Sequence, residues 1–508
     1  MKQKKGKMFL ICMLFSLFFS HVSFPVQAEV NESTLKKIET YLKQQMEEQA
    51  IAGLSYAIVD EKGVIHSGAF GNADIEKKLT PQTPMRLASL SKSFTALAIM
   101  QLVEKGQIDL DAPVTTYIPW FSFKSTDLSK QISIRNLLNQ TSGIPAEGEI
   151  ILGTKLIDLS LEETVKLFKQ IELKQHAGVK FEYTNLNYIT LGLIVEYVTG
   201  EPLASYLQKN ILHPLKMNES YVSVKNAEQN GLSKGYTSWF GFLLPTSTVM
   251  SDLPNFLASG YMVSSAEDMA RYVKMHMNEG EVEGKQLLGK EGIKSLHTPI
   301  AEAKMYLNDE FFGHYAMGWW ERTVHGTRVI GHSGDLFSAA RTDMYILPEH
   351  DIGLVVLTNT NNGTFAPGNS HISTDGVINL LTGKLPTHDD TQTFKSYYLI
   401  FNVVSFILVL TLIFYLVRMI RKKPTRLKVW SFVGLLLQFI LPTILLLFGP
   451  HLLHVPSWTF IYSIQTDLIA SLIVLFITLI VIALIGLYKG FRSLRIFKRI
   501  NFPHKKTL

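Results

Sequence analysis

Cysteine is nearly absent from this 508-residue chain; Cys12 is the only one. A single thiol excludes a disulfide framework and any cysteine-based metal site. Charge is scarce as well, 18% of residues against 47% hydrophobic. The chain is therefore too apolar for a wholly soluble protein, and its length suggests two to four units. Acidic residues are absent from one end and nearly so from the other. Residues 1–28 hold four Lys and no acid, and residues 391–508 hold 14 Lys+Arg and one acid, Asp467. The stretch between, 29–390, has 31 basic and 42 acidic residues, so the formal +6 of the whole hides a middle of net −11. Such a middle repels phosphate backbones, which sets nucleic acid aside as a partner. The 15 His show neither H-E-x-x-H nor another ligand spacing, so no metal and no cofactor is expected.

The basic ends read as membrane signals. Lys2, Lys4, Lys5 and Lys7 precede the apolar run Met8 to Phe19, and Val26-Gln27-Ala28 follows with small residues at −3 and −1. That order is a secretory signal over 1–28. The other reading, an uncleaved anchor, meets a run short of the roughly 20 residues a span needs. At the far end, residues 397–417, 429–448 and 468–487 are each near spanning length and free of Asp, Glu, Lys and Arg. Without buried ionisable groups, ion or proton transport is disfavoured. Pro442 interrupts the second span and predicts a kink there. Arg418, Arg421, Lys422, Lys423, Arg426 and Lys428 separate the first two spans, and a basic tail, 489–508, follows the third. The positive-inside rule makes that loop and the tail cytoplasmic and puts the acidic middle outside the cell membrane. Tyr397, Tyr398, Trp430 and Trp458 sit where interfacial aromatics are expected.

Between these ends, 29–390 shows no repeat or long linker and reads as one domain. Leu35, Ile38, Leu42 and Met46 fall at helical spacing within Ser33–Gln49. Gly53–Asp60 and Val64–Gly71 predict a hairpin around Glu61-Lys62-Gly63. Arg328–Gly331, Thr342–Leu347 and Ile352–Thr358 predict strands, and Asp375–Leu381 a closing helix. The order implies an α/β fold: an antiparallel sheet built from both chain ends, flanked by helices, with a helical middle as a second lobe.

Three segments carry chemistry. In Arg86-Leu87-Ala88-Ser89-Leu90-Ser91-Lys92, Ser89 precedes or opens a helix and Lys92 shares its face three residues on. A buried amine beside a hydroxyl can take its proton. Alone, Ser-x-x-Lys is common, and a helix cap with a solvated Lys is the preferred reading of it. Next, Tyr183-Thr184-Asn185 precedes an apolar helix, so both outer residues can face one cleft. Finally, His332-Ser333-Gly334 lies on a predicted strand with His332 and Gly334 on one side, the glycine expected to admit a substrate backbone. Trp239-Phe240-Gly241-Phe242 reads equally as cleft lining or packing. His314 and Trp319-Trp320 read as core.

In this order and spacing the three segments resemble the serine β-lactamase and penicillin-binding superfamily, most of all its class C β-lactamase and D-peptidase branch. The branch's motifs are S-x-x-K, Y-x-N and K/H-x-G. Leu137–Ile144, Ser259–Tyr272 and Tyr315–Trp319 add matches, and the likeness covers roughly residues 30–385. It implies a β-lactamase-like fold with the site between the two lobes. It also implies that Ser89 is acylated, that Lys92 and Tyr183 handle its proton, and that Asn185 binds a substrate amide. The His332-Ser333-Gly334 strand would pair with the substrate backbone. Backbone N–H groups of Ser89 and Asp335 would form the oxyanion hole, worth about 3–4 kcal/mol per donor. His332 replaces the usual lactamase Lys, Gln140 stands where His is common, and Asp335 stands where a small residue is common. A signal, one such domain and three spans is also the layout of peptidases that mature peptide prodrugs, the colibactin maturation peptidase and its relatives. That enzyme carries Ser where Asn185 stands. The resemblance thus implies an exported, membrane-anchored serine hydrolase acting on a small-molecule or peptide substrate, with D-residue peptides or amides foremost. Its alternatives are a β-lactamase and a β-lactam sensor that acylates without turnover.

Overall fold

The computed structural model describes residues 30–246, 253–304, 311–336, 339–361, 374–386, 394–423, 429–452 and 466–501. The expected signal over 1–28, Trp458, Arg426, Lys428 and the end of the tail lie outside the described residues.

Helix α1 (Glu32–Glu48) starts where the Asn31 side chain accepts from Thr34 N at 3.0 Å. Strands β1 (Gly53–Val59) and β2 (Val64–Gly71) form the expected hairpin. Its turn is closed by Asp60 Oδ1, which accepts from Lys62 N and Gly63 N at 2.8 and 2.9 Å. Helix α2 (Ser91–Glu104) opens a mostly helical lobe that includes α3 (Gly148–Leu152) and α4 (Asn185–Thr199). A small hairpin follows, β3 (Tyr236–Trp239) with β4 (Phe242–Pro245). After it come α5 (Ala266–Met277) and α6 (Lys290–His297).

The chain then returns to the sheet with β5 (Ala301–Lys304), β6 (Phe311–Tyr315), β7 (Trp320–Val324), β8 (Thr327–Leu336), β9 (Ala340–Leu347) and β10 (Ile352–Thr358), and closes with α7 (Thr374–Leu381). The sheet order is β2-β1-β10-β9-β8-β7-β6-β5, every described pair antiparallel. Both chain ends meet at β1 and β10, which are buried along their whole length. α1 and α7 cover one face through Ile38, Leu42, Val377 and Leu381. α5 and the helical lobe cover the other. Burial of both faces is why these two strands are almost uniformly apolar.

Strands β5 to β7 were not expected. Glu302, Glu321 and Arg322 interrupt them, so no apolar run marks them.

Three further helices are long and apolar enough to cross a membrane: α8 (Phe394–Arg421), α9 (Val429–Leu452) and α10 (Thr466–Asn501). α9 continues as helix through Pro442. α8 and α10 run parallel. Lys489, late in α10, donates to the carbonyls of Met419, Ile420 and Lys422 at the end of α8, at 2.6–2.7 Å. A cation on a helix's last carbonyls fixes that end against its neighbour.

Candidate active site

Ser89 lies in the one-turn 3₁₀ segment Ala88–Leu90 that feeds α2. Every other residue from Thr83 to Leu102 is buried, and Ser89 alone keeps some exposure. The turn is strained, with Ala88 at φ +50°, and its neighbours over-determine it. Leu87 N donates to Met262 O at 2.9 Å, and Leu87 O accepts from Thr342 Oγ1 at 2.7 Å. Ser91 Oγ donates to Ala88 O at 2.7 Å and accepts from Met262 N at 3.1 Å. The turn that carries the Ser89 hydroxyl is thus fixed from several sides.

Lys92 is fully buried. Its Nζ donates to Ser89 Oγ at 3.2 Å, Asn185 Oδ1 at 2.6 Å and Ser259 O at 2.7 Å. It also lies 4.8 Å from the centre of the Tyr183 ring. Hydroxyl, amine and phenol ring, expected from segments some 90 residues apart, are gathered within one site. Burial, opposed by the negative charge of Glu149, brings the Lys92 amine down to about 7. At neutral pH a large fraction is therefore a free base beside the hydroxyl.

Glu149 is the residue the sequence did not reveal. It sits on the five-residue helix α3. It accepts from Asn185 N at 2.8 Å and from Asn185 Nδ2 at 2.9 Å. Asn185, expected to meet a substrate amide, is held at both ends, by Lys92 and by Glu149. Gln140 supports the same segment. Its Oε1 accepts from Thr184 N at 3.1 Å and from Asn187 Nδ2 at 2.5 Å. The side-chain amide at this position therefore fixes the Tyr183–Asn185 corner from behind.

β8 forms the facing wall. β7 pairs with it only as far as Gly331, so His332–Leu336 have no strand partner on that edge among the described residues. An open edge can receive an extended backbone. His332 is 2% exposed; its Nδ1 meets Ser333 O at 2.5 Å and its Nε2 meets the Tyr315 hydroxyl at 3.5 Å. Burial and then the nearby Lys92 charge push it down to about 3, so it is neutral. Ser333 turns its side chain away, to the Tyr345 hydroxyl at 3.0 Å.

At Gly334 the structure shows a packing reason that the sequence did not suggest. A Cβ there would stand 2.5 Å from Leu87 O and 3.0 Å from Ala88 Cβ. The missing side chain lets β8 lie against the turn that carries Ser89. Asp335 pairs with Arg341 and accepts from Asn361 Nδ2, so its charge is offset within the protein. Trp320, expected in the core, is only partly buried and stacks at 6.4 Å on Tyr183. With Phe181 and Tyr315 it makes an aromatic wall. An open cleft reaches the site at Tyr183, lined also by Ile150, Glu182, Ile300 and Glu302. Of the two readings of the Trp239–Phe242 cluster, packing is the one the structure shows, and it is against α8 and α10.

The family model described as Beta-lactamase matches residues 38–374. Protein flp of Staphylococcus aureus (strain COL) is 27% identical over 468 residues, covering 88% of this chain and 90% of its own. The octameric penicillin-binding protein homologue from Pyrococcus abyssi superimposes with a TM-score of 0.59 at 29% identity, covering 69% of this chain and 78% of its own. The D-amino acid amidase of Ochrobactrum anthropi SV3 shares the fold, with a TM-score of 0.57 at 20% identity over 68% of this chain and 98% of its own.

Proposed function

This chain belongs to the Beta-lactamase family, and on that premise we propose that it is a membrane-anchored serine hydrolase working through an acyl-enzyme. The observation that carries the reading is the bond between the Lys92 amine and Ser89 Oγ, with the amine brought down to about 7. Lys92 and Tyr183 act as one titrating unit that takes the Ser89 proton. The oxygen then attacks the substrate carbonyl, and the backbone N–H groups of Ser89 and Asp335 hold the resulting oxyanion. The proton passes to the leaving amine. Water, deprotonated by the same unit, releases the acid and regenerates Ser89.

The electrostatics favour uncharged amides over penicillin-type β-lactams as substrates, and among such amides we take those of D-residues. Lactams of the penicillin type carry a carboxylate. His332 is neutral, Arg341 is engaged by Asp335, and Glu149 adds a negative charge to the site. The O. anthropi protein, which shares the fold, is a D-amino acid amidase, in agreement with this choice.

The three spans and the charge bias around them support a catalytic domain outside the cell and a basic tail inside. Protease added to intact protoplasts should remove the domain, and a protected domain would reverse the assignment. For the chemistry, a fluorescent penicillin should label the wild type and leave Ser89→Ala unlabelled. Persistent label on that variant refutes the nucleophile. Turnover of a D-aminoacyl amide faster than of a penicillin separates the amidase from the lactamase. Label that is never released marks a sensor.

A further inference from the structure

The β3–β4 hairpin is gripped at its turn by two helices from the other end of the chain. Asp467, at the start of α10, accepts from Phe240 N at 3.1 Å. Asn402, early in α8, donates to Phe240 O at 3.0 Å. One residue's main chain is thus held on both sides. Phe240 adopts φ +52°, and its ring lies 5.8 Å from that of Phe401. Gly241, at φ +87°, presents its bare face to Tyr398, whose Cβ would lie 3.4 Å from an added methyl. The single acid of residues 391–508 is therefore spent on this contact.

The grip sets a height. Asn402 comes four residues after Tyr398, where the apolar stretch of α8 begins. At about 1.5 Å per residue the turn meets α8 roughly 6 Å beyond that start. The polar layer on each side of the hydrocarbon core is itself only about 5–7 Å thick. Residues 398–421 span about 36 Å, some 6 Å more than the roughly 30 Å hydrocarbon core, so a turn at Asn402 stands at the boundary between headgroups and hydrocarbon. On β4, Phe242 and Leu244 share one face and are 73% and 47% exposed. A lone two-stranded hairpin with large apolar groups in water is unfavourable; the same face in a lipid interface is not.

We propose that the β3–β4 hairpin is a membrane-docking element. Its occupant is the phospholipid interface beside the outer ends of α8 and α10, with Phe242 and Leu244 among the headgroups. The catalytic domain is thereby held at a set distance from the bilayer rather than swinging on a tether. The hairpin is tied to the sheet by Tyr236 N, which donates to Asn359 O at 2.8 Å, close to Asn361 and its bond to Asp335 at the end of β8. The open edge of the site therefore lies a short span of structure from the lipid, which suits substrates that partition into the membrane.

This inference rests on the transmembrane reading above, and the experiment separates the two. In full-length Cys12→Ser protein, a bimane dye is placed on Phe242→Cys, on Leu410→Cys in mid-α8, or on Lys285→Cys in the exposed small hairpin over residues 281–286. Each is reconstituted in phosphatidylcholine vesicles with brominated acyl chains. Dye at 410 should be strongly quenched, dye at 285 not, and dye at 242 at least about twofold more than at 285, as interfacial insertion requires. Replacing both grips, Asp467→Ala with Asn402→Ala, should bring quenching at 242 down toward that at 285. Unquenched dye at 410 overturns the membrane reading itself. Quenching at 410 with none at 242 overturns the docking element alone. Dye at 242 that responds to protein concentration and not to bromine assigns the face to a second copy, and likewise overturns it.

Discussion

Lys92 and Glu149 grip opposite ends of a single side-chain amide. Asn185 Oδ1 accepts from the amine at 2.6 Å, and Asn185 Nδ2 donates to the carboxylate at 2.9 Å. Glu149 thus fixes the orientation of Asn185 and, through space, raises the Lys92 pKa that burial lowers. The proton affinity of the amine is a balance between these two effects.

From this balance follows a pH dependence. Acylation needs the unprotonated amine, so its rate should rise as pH passes about 7, the position of Lys92. Glu149→Gln removes the charge that raises this pKa and should move the acid limb to lower pH. Stopped-flow labelling with a fluorescent penicillin across pH 5–9 reads both limbs. A limb that stays in place in the variant counts against the coupling.

Gly334→Ala should harm the nucleophile turn rather than substrate entry. Its methyl meets Leu87 O at 2.5 Å and Thr342 Oγ1 at 2.4 Å, both fixed in the protein. Overpacking of this kind costs about 1–3 kcal/mol. We expect a lower Tm and a fall of at least about tenfold in acylation rate with little change in KM. A variant altered in KM alone would return the glycine to its expected role at the substrate.

Gln140→Ala should loosen the Tyr183–Asn185 corner, because Thr184 N and Asn187 Nδ2 lose their shared acceptor. Leaving such buried donors unpaired costs about 1–3 kcal/mol. Acylation should slow, and Gln140→His, able to offer one ring nitrogen, should recover part of the rate. Equal rates in wild type and Gln140→Ala would show that the corner holds itself.

Behind the active-site helix, His276 lies against Trp319 at 4.6 Å and His297 at 5.1 Å between ring centres. His276 is buried and His297 partly buried, and desolvation holds both well below their usual pKa. Each folded-state pKa lies under the unfolded value of about 6.5, so the unfolded chain binds protons first as pH falls. The stability that neutral His276 and His297 contribute is complete above about pH 6.5. Below it, each loses up to about 1.4 kcal/mol per pH unit. Thermal melts of the full-length protein in detergent at pH 7.5 and 5.5 should show the loss, and His276→Phe should reduce it. A melt independent of pH over that range would contradict the desolvation of both rings.

Much of the candidate site was legible because it is local. Ser89 and Lys92 are three residues apart on one turn, and Tyr183 and Asn185 two apart at a helix start, so spacing alone orients each pair. The β1–β2 hairpin and the strands β8, β9 and β10 carry apolar patterns dense enough to read. Glu149 was not legible, since a carboxylate on a one-turn helix belongs to no motif and acquires its role only by ending beside Asn185. Trp320 was misplaced for a related reason: next to the fully buried Trp319 it reads as core, yet successive residues leave the chain in opposite directions at the start of β7.

By itself the sequence determined what periodicity and composition encode: three apolar helices with basic flanks, a sheet drawn from both ends of the acidic middle, and three short motifs. Those features depend on neighbours a few residues away. Tertiary structure alone decided which distant groups share a space. It brought Glu149 to Asn185, set Gly334 against the strained turn of Ser89, and closed Asn402 and Asp467 on Phe240. Such contacts depend on how layers pack around a filled core, and no spacing along the chain encodes them.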